Sequence, residues 1–270
     1  MSMPYAEVIG DPIGHSKSPI IHRFWLGKLG IAGDYRATHV AAADLGAYVD
    51  SRRNDADWRG CNVTIPHKIA IMDHVDDPGD VRGSIGAMNT VLRDRAGNLT
   101  GTNTDAGGFY APIAGLPLAG KPVAVIGTGG AAHAVIFALS KAGAGPVTVL
   151  ARSPLKGAAL LARFGLKGKV QALDVPLPPV SLFVQTTQLG MTGQASLNVD
   201  LTPLPADAVV YDIVYAPLVT PLLAAAQAQG LEVVDGLDML IGQAALAFGL
   251  FFGAEPPRDA DDELRALLTA

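Results

Sequence analysis

The sequence predicts an α/β protein of two domains, the second built on a doubly wound parallel sheet. Three observations carry this. The 270 residues exceed the usual single-domain size of about 100 to 200. Short apolar runs alternate with helical stretches along most of the chain. A glycine-rich turn, Gly127-Thr128-Gly129-Gly130-Ala131-Ala132, stands between an apolar strand and a helix, where the G-x-G-x-x-A pattern has physical meaning.

Taken in order, Tyr5 to Ile9 reads as a strand, Ser18 to Leu29 as a helix and Tyr35 to Val40 as a second strand. A helix over Ala43 to Arg53, a strand over Cys61 to Thr64, a short helix after Pro66 and a strand over Asn89 to Arg93 continue the βα rhythm. The first domain therefore ends near Thr104, and Asp105 to Ala114 is a connecting helix. The second series has strands at Pro122 to Ile126, Val147 to Leu150, Leu182 to Gln185, Val209 to Ile213 and Glu232 to Val234. From Leu237 the pattern is helical to the end, and the Pro-rich stretches Val175 to Val180 and Leu201 to Pro205 are loops.

Composition excludes more than it assigns. Hydrophobic residues are 49%, charged residues 17% and aromatics 6%, which suits a core packed from Ala, Val and Leu. Net charge is −5 without a Lys/Arg-rich run, against a nucleic-acid partner. Cys61 is the only cysteine, so no intrachain disulfide forms. The start, Met1-Ser2-Met3-Pro4-Tyr5, shows no basic leader, and glycines break the apolar window Val123 to Leu139, so a cytoplasmic protein without a membrane span is expected. The six histidines form no H-E-x-x-H pattern, and Asp73, Asp76, Asp77 and Asp80 lack EF-hand spacing, so no metal is expected.

At the glycine-rich turn, small residues let the backbone approach a pyrophosphate, and the helix starting near Gly130 points N–H groups and a partial positive charge at the anion. Gly127, Thr128, Gly129, Gly130 and Ala131 are thus the candidate cofactor cradle. An NAD-preferring site usually ends its second strand with an acid that holds the ribose 2′-hydroxyl. Here the run is Leu150-Ala151-Arg152-Ser153. Arg152 and Lys156 can pair with a 2′-phosphate and Ser153 can donate to it, which favours NADP. The alternative for both cations is a solvated strand end.

Gly10-Asp11-Pro12-Ile13-Gly14-His15-Ser16-Lys17-Ser18-Pro19 resembles the N-terminal motif of shikimate dehydrogenases. Gly60 to Lys68, Gly86 to Thr90, Gly101 to Asp105, Gly127 to Ala134, Asp212 to Leu223 and Gly236 to Phe248 resemble further family segments in the same order. The resemblance implies a substrate-binding catalytic domain of residues 1–104 with 237–270, the C-terminal helices packing back on it, and an NADP-binding Rossmann domain of residues 105–236. It implies a cytoplasmic, NADP-dependent oxidoreductase that interconverts shikimate and 3-dehydroshikimate in chorismate and aromatic amino acid biosynthesis. It further implies a small molecule as partner and a monomer or homodimer as the assembly.

Residue by residue, the resemblance makes Lys68 and Asp105 the catalytic pair. Oxidising a secondary alcohol requires a positioned group to handle the hydroxyl proton. Ser16 and Ser18 match hydroxyls that hold the substrate carboxylate, although Ser18 before Pro19 also reads as a helix N-cap. Thr64, Asn89, Tyr215 and Gln243 complete the implied substrate set, and Thr187 and Gly236 the cofactor set. Arg23, His133, Ala151 and Gln185 depart from the family pattern. Quinate or aminoshikimate as substrate, NAD as cofactor, and a catalytically silent dinucleotide-binding regulator remain open alternatives.

Overall fold

The apolar runs become strands and the stretches between them helices in the computed structural model, which describes residues 3–270. Met1 and Ser2, part of the start read above for a leader, lie outside the described residues. The first elements are β1 Tyr5–Gly10, α1 Ser18–Leu29, β2 Asp34–His39, α2 Leu45–Arg53, β3 Trp58–Val63, α3 Val81–Ser84, β4 Thr90–Arg93 and β5 Leu99–Thr102. Then come α4 Asp105–Tyr110, β6 Val123–Ile126, α5 Gly130–Lys141, β7 Val147–Leu150, α6 Pro154–Arg163 and β8 Gly168–Gln171. The chain closes with β9 Leu182–Gln185, β10 Val209–Asp212, α7 Pro221–Ala228, β11 Glu232–Val234, α8 Gly236–Phe252 and α9 Asp261–Thr269. It divides into two compact units, Met1–Asp105 with Ile241–Ala270, and Ala106–Leu240.

Unit 1 holds a mixed sheet of order β2-β1-β3-β4-β5. Strand β1 is parallel to β2 and β3, while β3–β4 and β4–β5 are antiparallel. Ala6, Val8, Ile13, Tyr35, Ala247 and Phe251 form one core cluster of this unit. Strand β5 goes beyond the expected elements. Its Leu-Thr-Gly-Thr run is too polar to stand out, and it forms because Asp94 accepts from the N–H groups of Ala96 and Asn98, turning the chain back on β4. The expected short helix after Pro66 is a 3₁₀ turn over Ala70–Asp73.

Unit 2 holds a sheet of order β11-β10-β9-β6-β7-β8, parallel throughout. Strands β6, β7, β9 and β10 are buried at every residue, which is why they read as largely apolar runs, interrupted only by Thr148, Gln185 and Asp212. Ala124, Ile126, Phe183, Val210, Leu222 and Leu223 lie in its core cluster. The edge strand β8, Gly-Lys-Val-Gln, also goes beyond the expected elements, because an edge strand with exposed positions has no apolar run to announce it. Strand β6 sits between β9 and β7, so the strand order reverses at β6, the switch point where sheets of this kind bind ligands. Among the described residues no helix is long and apolar enough to cross a membrane.

Candidate active site

Strands β1 and β3 are parallel neighbours, so the loops that follow them leave the same sheet edge. The Asp11 N–H donates to the Ile65 carbonyl (3.0 Å) and ties the two loops together. A β-carbon at Gly10 would fall 2.6 Å from Thr64 Cγ2 and 2.9 Å from Ile65 O, so glycine lets the strand ends close to this distance. Ser16, Ser18, Thr64 and Lys68 all belong to these loops or their immediate continuation. Ser18 is not the cap of α1. Lys17 occupies that position, Ser18 is the first helical residue, and the Ser18 N–H donates to Ser16 Oγ (3.3 Å). The Ser-Pro signature placed the cap one residue late, because Pro19 fits the second helical position as well as the first.

Lys68 is anchored by its backbone, whose carbonyl accepts from Met88 N–H (2.8 Å). The neighbouring His67 ring is buried, its Nε2 2.7 Å from the Val40 carbonyl. Lys68 Nζ donates to Asp105 Oδ2 at 2.5 Å, with the two side chains 13% and 5% exposed. Asp105 opens α4, and its other oxygen, Oδ1, accepts from Asn89 Nδ2 (2.8 Å). The carboxylate is therefore held from both sides, and a buried ion pair of this kind persists only where further hydrogen bonds satisfy it.

Asn89 is itself fixed. Its Oδ1 accepts from the Thr104 N–H (2.7 Å), and its Nδ2 also reaches Thr104 Oγ1 (2.9 Å) and Gln243 Oε1 (3.4 Å). Sequence-predicted Lys68, Asp105, Asn89 and Gln243 thus converge in one cluster. Thr64 is half-buried at the end of β3, with its backbone N–H bonded to Ile9 O (2.9 Å). Residue patterns did not single out Tyr35, Asn62, Thr90 and Thr104, which extend the cluster inward. The available signal was a polar pair on facing strand positions, Asn62 opposite Thr90, both buried.

In unit 2 the glycine-rich turn leaves β6 at the switch point. Gly127 has φ 115°, and a β-carbon there would fall 2.4 Å from Thr186 Oγ1, so only glycine is tolerated. Gly129 is the N-cap of α5 and makes no side-chain cap bond, so its first turn has no side-chain acceptor of that kind; Gly130 and Ala131 begin the helix. A β-carbon on Gly129 would meet nothing within 4 Å, so the turn faces open space. Arg152 and Lys156 are exposed, and Ser153 caps α6 by accepting from Lys156 N–H (3.5 Å).

Thr187 lies in the loop after β9. Its N–H donates to Gln185 Oε1 (2.8 Å), its Oγ1 accepts from Leu189 N–H (3.1 Å), and Gln185 Nε2 donates to Leu189 O (2.8 Å). Gln185, a departure from the family pattern, fastens this loop. Gly236 starts α8, where a β-carbon would fall 2.3 Å from Ile213 O. Tyr215 is half-buried in the loop after β10. Of the other departures, Arg23 forms a surface ion pair with Asp34 (2.8 Å), while Ala151 is buried and His133 half-buried. Among the described residues no group of three or more His, Cys, Asp or Glu is placed to hold a metal ion.

The reversed parallel sheet, with a glycine turn and helix N-terminus at its switch point, defines a two-unit α/β protein of the Rossmann class. Comparison with known proteins narrows it. The model of the shikimate dehydrogenase substrate binding domain matches residues 8–91, and that of the shikimate 5′-dehydrogenase C-terminal domain matches residues 236–263. The chain is 66% identical over 267 residues to a shikimate dehydrogenase (NADP(+)) of Sphingopyxis alaskensis, covering 99% of this chain and 97% of that protein. Its fold matches shikimate 5-dehydrogenase from Thermus thermophilus in complex with NADP(H) and shikimate, with TM-score 0.86, 37% identity and coverage of 98% and 100%. It also matches a quinate dehydrogenase from Corynebacterium glutamicum in complex with NAD, with TM-score 0.86, 31% identity and coverage of 98% and 99%. The chain belongs to the shikimate dehydrogenase family.

Proposed function

We propose that this chain is an NADP-dependent shikimate dehydrogenase, with Lys68 and Asp105 as its catalytic pair, acting in the cytoplasm as a monomer or homodimer in the supply of aromatic amino acid precursors. The observation that carries the reading is the buried Lys68–Asp105 contact, held by Asn89. In support, two relatives that the chain resembles over nearly its whole length are named shikimate dehydrogenase (NADP(+)), at 66% and 44% identity.

An ammonium has three N–H donors, and Lys68 directs one of them to Asp105. The remaining two are available to the reacting oxygen. When the ketone is reduced, Lys68 gives that oxygen a proton as hydride reaches the carbon; when the alcohol is oxidised, the proton returns to Lys68 as hydride leaves. Asp105 holds the ammonium in place and accepts from a substrate hydroxyl. Ser16 and Ser18 donate to the substrate carboxylate, and Thr64, Asn89 and Gln243 serve the ring hydroxyls. The first unit thus binds substrate and the second binds cofactor.

The residues of unit 2 fit a dinucleotide, because the turn from Gly127 to Ala131 opens onto free space at Gly129 and the α5 N-terminus makes no side-chain cap bond. Arg152, Ser153 and Lys156 would hold the 2′-phosphate, and Thr128, Thr187 and Gly236 would line the remainder. When bound, NADP supplies the hydride acceptor. The test is the initial rate of cofactor reduction with shikimate or quinate, each offered with NADP and with NAD. Turnover confined to shikimate with NADP is expected. Measurable NADP binding without turnover of either substrate overturns the reading, and a preference for quinate or NAD replaces its substrate or cofactor.

A further inference from the structure

We propose that Thr90 and Tyr35 are positioning residues for the Lys68–Asp105 pair, acting through a hydrogen-bond chain whose direction two backbone groups fix. The proposal rests on the reading of Lys68 and Asp105 as the catalytic pair. Neither residue touches either member of that pair by a hydrogen bond. Both are fully buried.

The direction of the chain follows from which groups can only give or only take. Asn62 Nδ2 lies 3.3 Å from the Asn89 carbonyl, which can only accept, so the nitrogen of that amide must be on this side. Asn62 Oδ1 then faces Tyr35, whose hydroxyl donates to it at 2.6 Å. Asn62 Nδ2 also donates to Thr90 Oγ1 (3.1 Å). At the other end the Thr104 N–H can only donate, and it faces Asn89 Oδ1 (2.7 Å), so Asn89 Nδ2 must point to Asp105. The Thr90 hydroxyl, already an acceptor from Asn62, donates to Asn89 Oδ1 (3.0 Å), the nearer of its two remaining partners, with Thr104 Oγ1 3.3 Å away. One orientation satisfies every link from Tyr35 to Asp105, and it presents a donor to the carboxylate that holds Lys68.

Tyr35 closes the inner end. Its ring stacks on His22 with centroids 3.9 Å apart and planes 5° from parallel. His22 is buried and neither ring nitrogen has a hydrogen-bond partner, so it acts on Tyr35 through ring packing. The Tyr35 side chain is thereby held in the plane from which its hydroxyl reaches Asn62. Buried networks of this kind specify one arrangement because each unmet donor or acceptor would be costly.

The decisive variant is Thr90→Val, which keeps the shape and removes both the acceptor and the donor, with Thr90→Ser restoring the hydroxyl and Tyr35→Phe cutting the chain at its far end. In the full-length protein, T90V is expected to lower kcat with shikimate and NADP about tenfold, with KM for NADP unchanged and T90S returning most of the loss. In an Asn89→Ala background T90V should add less than twofold, because the effect runs through Asn89. Additive losses in that background, or equal losses in T90V and T90S, overturn the proposal. A second readout does not need turnover: the Asn89 side-chain amide protons, followed by ¹H–¹⁵N NMR, should exchange at least tenfold faster in T90V and in Y35F than in the unmodified protein or T90S. Unchanged exchange in both variants overturns the chain whether or not the protein turns over shikimate. Faster exchange in a protein inactive with shikimate leaves the chain standing and sinks the proposed activity.

Discussion

Replacing Glu7 by alanine should destabilise unit 1 more than any exposed charge change, and the size of the loss follows from its partners. Glu7 lies in β1 with 1% of its surface exposed. It accepts from Tyr48 Oη (2.7 Å), Trp58 Nε1 (2.9 Å), Arg52 Nε (2.7 Å) and the Thr38 hydroxyl. Arg52 keeps about a fifth of its side chain exposed and can turn to water. Tyr48 and Trp58 are buried and cannot. Each stranded buried donor costs roughly 1 to 3 kcal/mol, and the missing methylenes add about 1 more, so a loss of about 4 kcal/mol is expected. At roughly 2 to 4 °C per kcal/mol for a chain of this size, Tm falls by about 10 °C. Glu7→Gln keeps the volume but weakens the charged bonds, and should lose roughly 1 to 2 kcal/mol. The assay is urea unfolding followed by tryptophan fluorescence, which reports this unit because the two tryptophans are Trp25 and Trp58. Arg52→Ala alone should cost about 3 to 5 kcal/mol by leaving a buried carboxylate without its cation, and the double variant should lose less than the sum. A Glu7→Ala loss below about 1 kcal/mol would refute the reasoning.

Three further outcomes follow. Burial lowers the His22 pKa to about 3, below its unfolded value near 6.5, so the stability conferred by the neutral ring is full above pH 6.5 and falls by about 1.4 kcal/mol per pH unit below it. His22→Phe should reduce this acid sensitivity, and equal pH profiles of urea midpoints for the two proteins would contradict it. Burial raises the Asp212 pKa to about 6 against the opposing bonds from Thr220 and the Val214 N–H. Its stabilising contribution is therefore full below about pH 4 and lost as pH rises through 6, a change of about 3 kcal/mol at most. Asp212→Asn should flatten that part of the stability profile, read by amide exchange of Val209 to Tyr211. Arg152→Glu should weaken NADP about 10- to 100-fold while leaving NAD within a few fold, as read by titration calorimetry; equal weakening of both would remove Arg152 from the 2′-phosphate site.

Much of the fold could be read from local pattern because the buried parallel strands of unit 2 are apolar at nearly every position. Val147–Leu150, Leu182–Gln185 and Glu232–Val234 have the bounds their residues predict. β5 and β8 escaped because their residues gain strand structure only from a neighbour, β4 in one case and β7 in the other. In the site, the glycine turn and the Arg152 strand end carry chemistry that local order makes visible. Lys68 and Asp105 do not, since they meet across 37 residues of sequence and each alone looks like a surface charge. Resemblance to a family supplied that pair. The chain from Tyr35 to Asn89 was beyond both routes, because an Asn or Thr in a strand takes its meaning from the residue opposite.

The most direct test of the central claim is a single-turnover measurement of hydride transfer in Lys68→Ala, at saturating shikimate and NADP, alongside shikimate affinity by calorimetry. A fall of about 10² to 10⁴ in the chemical step, with affinity changed by no more than a few fold, is the predicted result. Hydride transfer within tenfold of the unmodified protein would contradict the assignment of Lys68 as the group that moves the proton.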